Sequence, residues 1–256
     1  MEHVSVRDVD VPALGLGTWP MKGKPCTQAM TTALELGYRH VDTAQMYDNE
    51  DAIGAAIADS SVDRDDVFVT TKLLRENLRR DDALESFQRS LDRLGTEYVD
   101  LLLIHAPNPA VPIDETIAVM NQLQEEGSVR HIGVSNFSIP QLQAAMDASE
   151  TPILTNQVLY HPYRDQSALL ECCRDNEIML TAYSPLAEGS IATDETLAEI
   201  GATYNKTAAQ VALRWLLQQE NVSTIPKASS REHLRENIDV FDFELTDAEM
   251  DRIFTL

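Results

Sequence analysis

The sequence predicts a closed (β/α)8 barrel preceded by a short β-hairpin, and three observations lead there. Short runs rich in Val, Ile and Leu alternate with longer amphipathic stretches from one end to the other, the pattern of a parallel sheet with crossover helices. Eight such runs fall within 256 residues, the usual size of this barrel. No G-x-G-x-x-G follows a strand: Gly15-Leu16-Gly17 lacks the third glycine and does not lead straight into a helix, which disfavours an open doubly wound sheet.

Taken in order, residues 3–11 alternate enough for a hairpin over the barrel floor. Strands are expected at 13–18, 39–43, 67–71, 99–104, 131–134, 154–158, 179–183 and 222–226. Between them, a helix over 81–94 should end at Gly95, one over 113–126 should end at Gly127, and Ser138 should cap 140–148, with Pro140 tolerated in the first turn. No linker, repeat or low-complexity segment interrupts the pattern, so residues 1–256 are expected to form one domain.

Composition narrows the function classes. The 42 acidic and 20 basic residues leave a net charge of −22, which makes nucleic acid an unlikely partner. Acidic residues such as Asp63, Asp65, Asp66, Asp81 and Asp82 stand among apolar ones, as on a solvated surface rather than in a disordered tail. Such a surface resembles that of halophilic proteins. Self-repulsion should weaken the fold at low ionic strength, and salt should relieve it over a Debye length of ~3 Å at 1 M. Three cysteines, two of them the adjacent Cys172 and Cys173, suggest neither a disulfide framework nor a zinc site; core packing is the expected role of that pair. No apolar run approaches the ~18 residues of a membrane span, and no export signal opens the chain, so a cytoplasmic location and a monomer are expected.

In such a barrel the active site lies where the strands end, so polar residues at those ends are site candidates. The eight ends present Trp19, Asp42, Lys72, His105, Ser135 with Asn136, Gln157, Tyr183 with Ser184, and Lys227. Each alone could be a loop starter or helix cap; all eight converge on one face. A carbonyl accepting a hydride develops alkoxide character and needs a proton donor and hydrogen-bonding groups aimed at its oxygen. Tyr47 can be that acid, with Lys72 lowering its pKa, Asp42 holding the ammonium, and His105 donating to the same oxygen. Spacing alone fits equally well a structural Asp42–Lys72 ion pair, a packed Tyr47 and a core His105. A metal site is disfavoured: His161, Asp42 and His105 would share their ring with Lys72, which repels a cation.

These residues also carry a family resemblance. Gly37-Tyr38-Arg39-His40-Val41-Asp42-Thr43-Ala44 with Tyr47, Glu50 and Gly54, together with Gly15-Leu16-Gly17-Thr18-Trp19, Thr71-Lys72-Leu73 and Val99 to His105, resembles the aldo-keto reductase family. So do Ile132-Gly133-Val134-Ser135-Asn136-Phe137, Asn156-Gln157, Ala182-Tyr183-Ser184-Pro185-Leu186 and Ile225-Pro226-Lys227, over nearly the whole chain. In length it is similar to the prokaryotic branch that includes the diketogluconate reductases. The resemblance implies NAD(P)H-dependent reduction of aldehydes and ketones, with Tyr47 as acid, supported by Lys72 and Asp42, and His105 orienting the carbonyl. It implies Ser135, Asn136 and Gln157 on the nicotinamide carboxamide, Tyr183 stacked on the ring, and Thr18, Ser184 and Leu186 along the cofactor. It also implies Trp19 as a substrate wall, and Lys227, Ser229, Ser230, Arg231, His233, Glu236 and Asn237 at the adenosine end.

Three departures from the family pattern shape the expectations. Ala106 follows His105 where a tryptophan is usual, so the substrate pocket should be roomier there. His233 stands where an arginine commonly grips the 2′-phosphate, and a mostly neutral imidazole cannot match that bidentate grip; NADPH is expected to be preferred, with NADH also used. The chain stops at Leu256 soon after residues 249–254, so a short final loop and a broad substrate range are expected. Two rival functions remain on sequence grounds: a redox-sensing subunit that binds the nucleotide with little turnover, and a metal-dependent hydrolase on the same barrel. The intact Asp42, Tyr47, Lys72 and His105 oppose the first, and lysines in place of metal ligands oppose the second.

Overall fold

The computed structural model describes residues 2–256. It begins with the expected hairpin, β1 (His3–Val6) and β2 (Val9–Pro12), paired antiparallel. Arg7 and Asp8 form its turn with φ of 49° and 64°, the backbone that a two-residue hairpin loop requires. Val6 and Val11 pack on Leu101, Leu103, Leu154 and Met179, so the hairpin closes off the floor of the main sheet.

Eight parallel strands follow, in the same order in space as in sequence: β3 (Leu16–Gly17), β4 (His40–Asp42), β5 (Phe68–Leu73), β6 (Val99–Ile104), β7 (Val129–Ser135), β8 (Ile153–Leu159), β9 (Met179–Tyr183) and β10 (Val222–Thr224). β6 and β9 have the expected bounds. β5, β7 and β8 end one or two residues later than expected, because Lys72, Ser135 and Leu159 continue the ladder toward the site, and β7 also starts two residues earlier.

The continuous ladders of β3, β4 and β10 are shorter than the expected 13–18, 39–43 and 222–226, and the remaining residues of the first and last runs pair with each other. Residues 13–17 hydrogen-bond to the far strand: Thr224 N–H to Ala13 O at 2.9 Å, Gly15 N–H to Thr224 O at 2.9 Å and Gly17 N–H to Pro226 O at 3.1 Å. These bonds join the first and last strands of the curled sheet, with Leu14 bridging Thr224 in parallel. Only glycine fits at Gly17, where an added Cβ would stand 2.4 Å from the Ile225 carbonyl oxygen.

The helices lie between strands and after the last one: α1 (Gly23–Glu35), α2 (Glu50–Ala58), α3 (Arg80–Leu94), α4 (Ile113–Glu125), α5 (Ile139–Ala148), α6 (Ser167–Asp175), α7 (Glu195–Tyr204), α8 (Ala208–Leu217), α9 (Arg231–Ile238) and α10 (Asp247–Phe254). Their ends obey the local signals. α3 stops at Gly95, in the left-handed conformation at φ 64°, and Ser138 is the N-cap of α5, its N–H donating to Gln141 at 2.9 Å. The helices bury one apolar face against the sheet in a continuous core that includes Met120 and Cys173. Burial pushes the Cys173 thiol up to about 12, as suits a packing residue. Asp63, Asp65, Asp66, Asp81 and Asp82 are all exposed. Among the described residues no helix is long and apolar enough to cross a membrane.

Candidate active site

The strand ends bring four distant residues to one point. β4 finishes on Asp42, β5 carries Lys72 one residue before its end, β6 is followed by His105, and Tyr47 sits in a single 3-10 turn, Gln45–Tyr47, after β4. Lys72 is fully buried, and its ammonium spends each proton on a named acceptor: Asp42 Oδ1 at 2.5 Å, the Thr43 carbonyl at 2.9 Å and the Tyr47 hydroxyl at 3.3 Å. The second carboxylate oxygen of Asp42 accepts from Gln157 Nε2 at 2.7 Å.

Around this group lie aromatic walls. The Tyr47 ring meets His105 edge-on with centroids 5.6 Å apart and Trp19 at 5.3 Å, while Trp19 itself is half exposed. Met46 is exposed beside them, and Ala106 is half buried next to His105.

Electrostatics correct one expectation. Burial raises the Tyr47 phenol above its ordinary range, and the opposing charge of Lys72 only partly offsets this, so the net shift is upward rather than downward. Tyr47 is therefore held as a neutral acid. Burial would lower Lys72, but the charges and hydrogen bonds of Asp42 and Tyr47 outweigh it and leave the ammonium charged. His105 is pushed down to about 4 by burial and by Lys72, so it is a neutral imidazole near neutral pH. Its Nδ1 is buried without a partner. An unpartnered buried N–H is the rarer arrangement, which favours the tautomer with the proton on Nε2.

The residues expected along a cofactor fall into two groups. Beside the group of Asp42, Tyr47, Lys72 and His105, Thr18 Oγ1 donates to the Asp42 carbonyl at 2.9 Å and Ser135 Oγ to the Gln157 carbonyl at 2.8 Å. Asn136, in the left-handed region at φ 62°, donates to the His105 carbonyl at 3.0 Å and accepts from the Tyr183 hydroxyl at 2.9 Å. Ser184 also has positive φ, and Leu186 is partly buried against the core.

Further round the sheet, Lys227, Ser229, Ser230, Arg231 and His233 are exposed at the start of α9. Ser230 caps that helix by accepting from His233 N–H at 3.2 Å, and Arg231 pairs with Glu35 at 2.7 Å. Glu236 is half buried and Asn237 buried.

Sequence reasoning missed the Gln157 amide as a partner of Asp42, and the Thr43 carbonyl as the third acceptor of Lys72. A backbone carbonyl leaves no signal in a sequence, and Gln157 lies 115 residues from Asp42. His161, considered as a metal ligand, instead sits in a turn where its Nδ1 accepts from Tyr163 N–H at 3.2 Å.

Comparison with known proteins gives the family. The family model described as "Aldo/keto reductase family" matches residues 13–256. The chain belongs to this family. As an aldo/keto reductase it is an oxidoreductase that reduces carbonyl compounds, in a family that generally uses NAD(P)H. It is 42% identical over 242 residues to methylglyoxal reductase DkgB of Escherichia coli O157:H7, covering 93% of this chain and 90% of that one. A solved structure described as a 2,5-diketo-D-gluconic acid reductase B superposes with a TM-score of 0.98 at 46% identity, covering 100% of this reductase and 91% of the other. The Bombyx mori aldo-keto reductase solved in complex with NADP superposes with a TM-score of 0.91 at 33% identity, covering 99% and 92% of the two chains.

Proposed function

We propose that this aldo/keto reductase reduces small α-dicarbonyl compounds and related aldehydes on a closed barrel of residues 1–256, with Tyr47 as the proton donor and NADPH preferred over NADH. The observation that carries the reading is the Tyr47 hydroxyl held 3.3 Å from a fully buried, fully bonded ammonium. A phenol there stays protonated until a developing alkoxide takes its proton, and the phenolate left behind lies against Lys72. Asp42, fixed by Gln157, keeps Lys72 charged and aimed. The Nε2–H of neutral His105 serves as second donor to the carbonyl oxygen.

The residues present fit a dinucleotide. Tyr183 offers a half-buried ring beside Asn136, and the exposed start of α9 gathers backbone N–H groups, Ser229, Ser230 and Lys227, a group suited to phosphate. When bound, the cofactor supplies the hydride. Lys227, Ser229, Ser230 and Arg231 would hold a 2′-phosphate, with His233 the weaker member; Glu236 and Asn237 stand toward the adenine. Trp19 and Ala106 bound the substrate, and the small Ala106 leaves room for more than one carbonyl shape. The DkgB relative, a methylglyoxal reductase, favours the dicarbonyl class.

The reading extends to a monomeric cytoplasmic enzyme whose acidic surface makes molar salt stabilising. Its test is the oxidation of NADPH and of NADH with methylglyoxal, simple aldehydes and ketones, in low and in molar salt. Faster turnover of the dicarbonyl with NADPH is the expected result. Binding of either cofactor without turnover of any carbonyl would favour a redox-sensing role instead.

A further inference from the structure

Tyr47 stands in a turn with little backbone support. The 3-10 turn is only three residues long, Tyr47 N–H donates to the Ala44 carbonyl at 3.0 Å, and Asp48 leaves it in the left-handed region. Such a turn does not by itself fix a hydroxyl to within a few tenths of an ångström. Two side-chain amides flank Tyr47 two residues away on either side, and each uses both its oxygen and its nitrogen.

Gln45 reaches toward the strand that carries Lys72. Its Oε1 accepts from Leu74 N–H at 2.9 Å and from Asn77 Nδ2 at 3.3 Å, and its Nε2 donates to Ser90 Oγ at 3.2 Å. Leu74 is two residues beyond Lys72, so this amide ties the acid-bearing turn to the end of β5 itself. Asn49 works from the other side and is fully buried. Its Oδ1 accepts from Thr43 Oγ1 at 2.5 Å and its Nδ2 donates to the Met21 carbonyl at 2.8 Å. Thr43 is the residue whose carbonyl takes the third proton of Lys72. Met21 closes the loop that begins with Trp19, the wall against the Tyr47 ring.

We infer that Gln45 and Asn49 are positioning residues that set the Tyr47 hydroxyl against Lys72 and toward the substrate carbonyl. Each ties the turn to a segment that touches the ammonium, so the spacing of acid and ammonium is defined from both sides. Neither amide reaches the Tyr47 hydroxyl; both act through the backbone that carries it. The inference rests on Tyr47 being the proton donor.

Gln45 is the better residue to test, since it is only partly buried and its loss leaves no large cavity. Gln45→Leu, Gln45→Glu and Tyr47→Phe are compared in the full chain, with kcat, KM and the pH profile of kcat measured on protein shown folded by circular dichroism. Gln45→Leu is expected to lower kcat about 10- to 100-fold while KM for the cofactor stays within about twofold, because misplacement of a catalytic group by about 1 Å costs that much. The basic limb of its profile should move to higher pH, since a phenol drawn away from Lys72 loses the ammonium's pull. Gln45→Glu keeps an acceptor for Leu74 N–H and should recover most of the rate. A folded Gln45→Leu with the native kcat and pH profile overturns the inference, as does one that only melts earlier. Full turnover by Tyr47→Phe would instead overturn the proton-donor reading itself.

Discussion

The two ends of the sheet hold the same ingredients, a buried aspartate, cationic partners and a tyrosine, and put them to different uses. At the strand ends Asp42 meets one lysine, which also touches Tyr47. At the floor Asp100, equally buried, takes Arg64 NH2 at 2.9 Å, Arg130 NH1 at 2.8 Å and the Val69 N–H at 3.0 Å. Both guanidinium groups lie over one ring, with Arg64 Cζ 4.2 Å and Arg130 Cζ 4.1 Å from the Tyr98 centroid. The Tyr98 hydroxyl is committed to Asp65, an exposed carboxylate that also binds Arg130. A cavity of about 700 Å³ opens beside this network, lined by the hairpin, Asp100, Arg130 and His131.

Lysine against arginine is what separates the two groups. A guanidinium stays charged, bonds in a fixed fork and stacks on rings, so the floor network is a brace. An ammonium is a point charge whose field acts strongly on a phenol in a dry site, which suits the upper group to the proton transfer proposed for it. The cavity at the floor therefore says nothing about where the chemistry is.

The contrast can be broken most severely at Tyr47. Tyr47→Phe should lower kcat about 10³-fold with the unfolding midpoint nearly unchanged, the loss typical of a removed general acid; steady-state rates beside a thermal melt check both halves. Next comes Lys72→Met, which strands the buried Asp42 carboxylate. It should cost about 3–5 kcal/mol in denaturant unfolding as well as turnover. At the floor, Asp100→Asn should cost about 1–3 kcal/mol of stability and leave kcat within about twofold. A large loss of turnover in a folded Asp100→Asn protein would mean that the two ends are coupled.

The pH dependence of stability sharpens the contrast at His105. Its pKa is about 4 in the folded chain against an ordinary 6.5, so between those values the unfolded chain carries a proton that the folded one lacks. Stability from this group is full above pH 6.5 and is lost as pH falls toward 4. Unfolding free energy measured across that window should fall less steeply in His105→Gln, and the same slope in both proteins would contradict a neutral buried His105.

How much of this was legible in the sequence varies by element. β6 and β9 have the bounds expected from their apolar runs, because strands buried on both faces advertise themselves by composition. β3 and β10 form shorter continuous ladders than their apolar runs, yet residues 13–17 and 224–226 pair across the seam, and no local signal reveals a partner about 200 residues away. The residue types gathered at the strand ends were readable because hydride reduction of a carbonyl, the proposed chemistry, demands an acid, a cation and a donor. The direction of the Tyr47 shift was not, since it depends on how far burial outweighs Lys72.

By itself the sequence determined the alternation of strands and helices, the caps at Ser138 and Gly95, the acidic surface and the identity of Asp42, Tyr47, Lys72 and His105. All of these depend on residue chemistry and on periodicity over a few residues. Only the tertiary structure decided that Gln157 serves Asp42, that Gln45 and Asn49 bracket Tyr47, and that Tyr47 and His105 are both neutral. Those facts arise from hydrogen bonds and desolvation acting over a few ångströms, between groups that come together only when the sheet has curled.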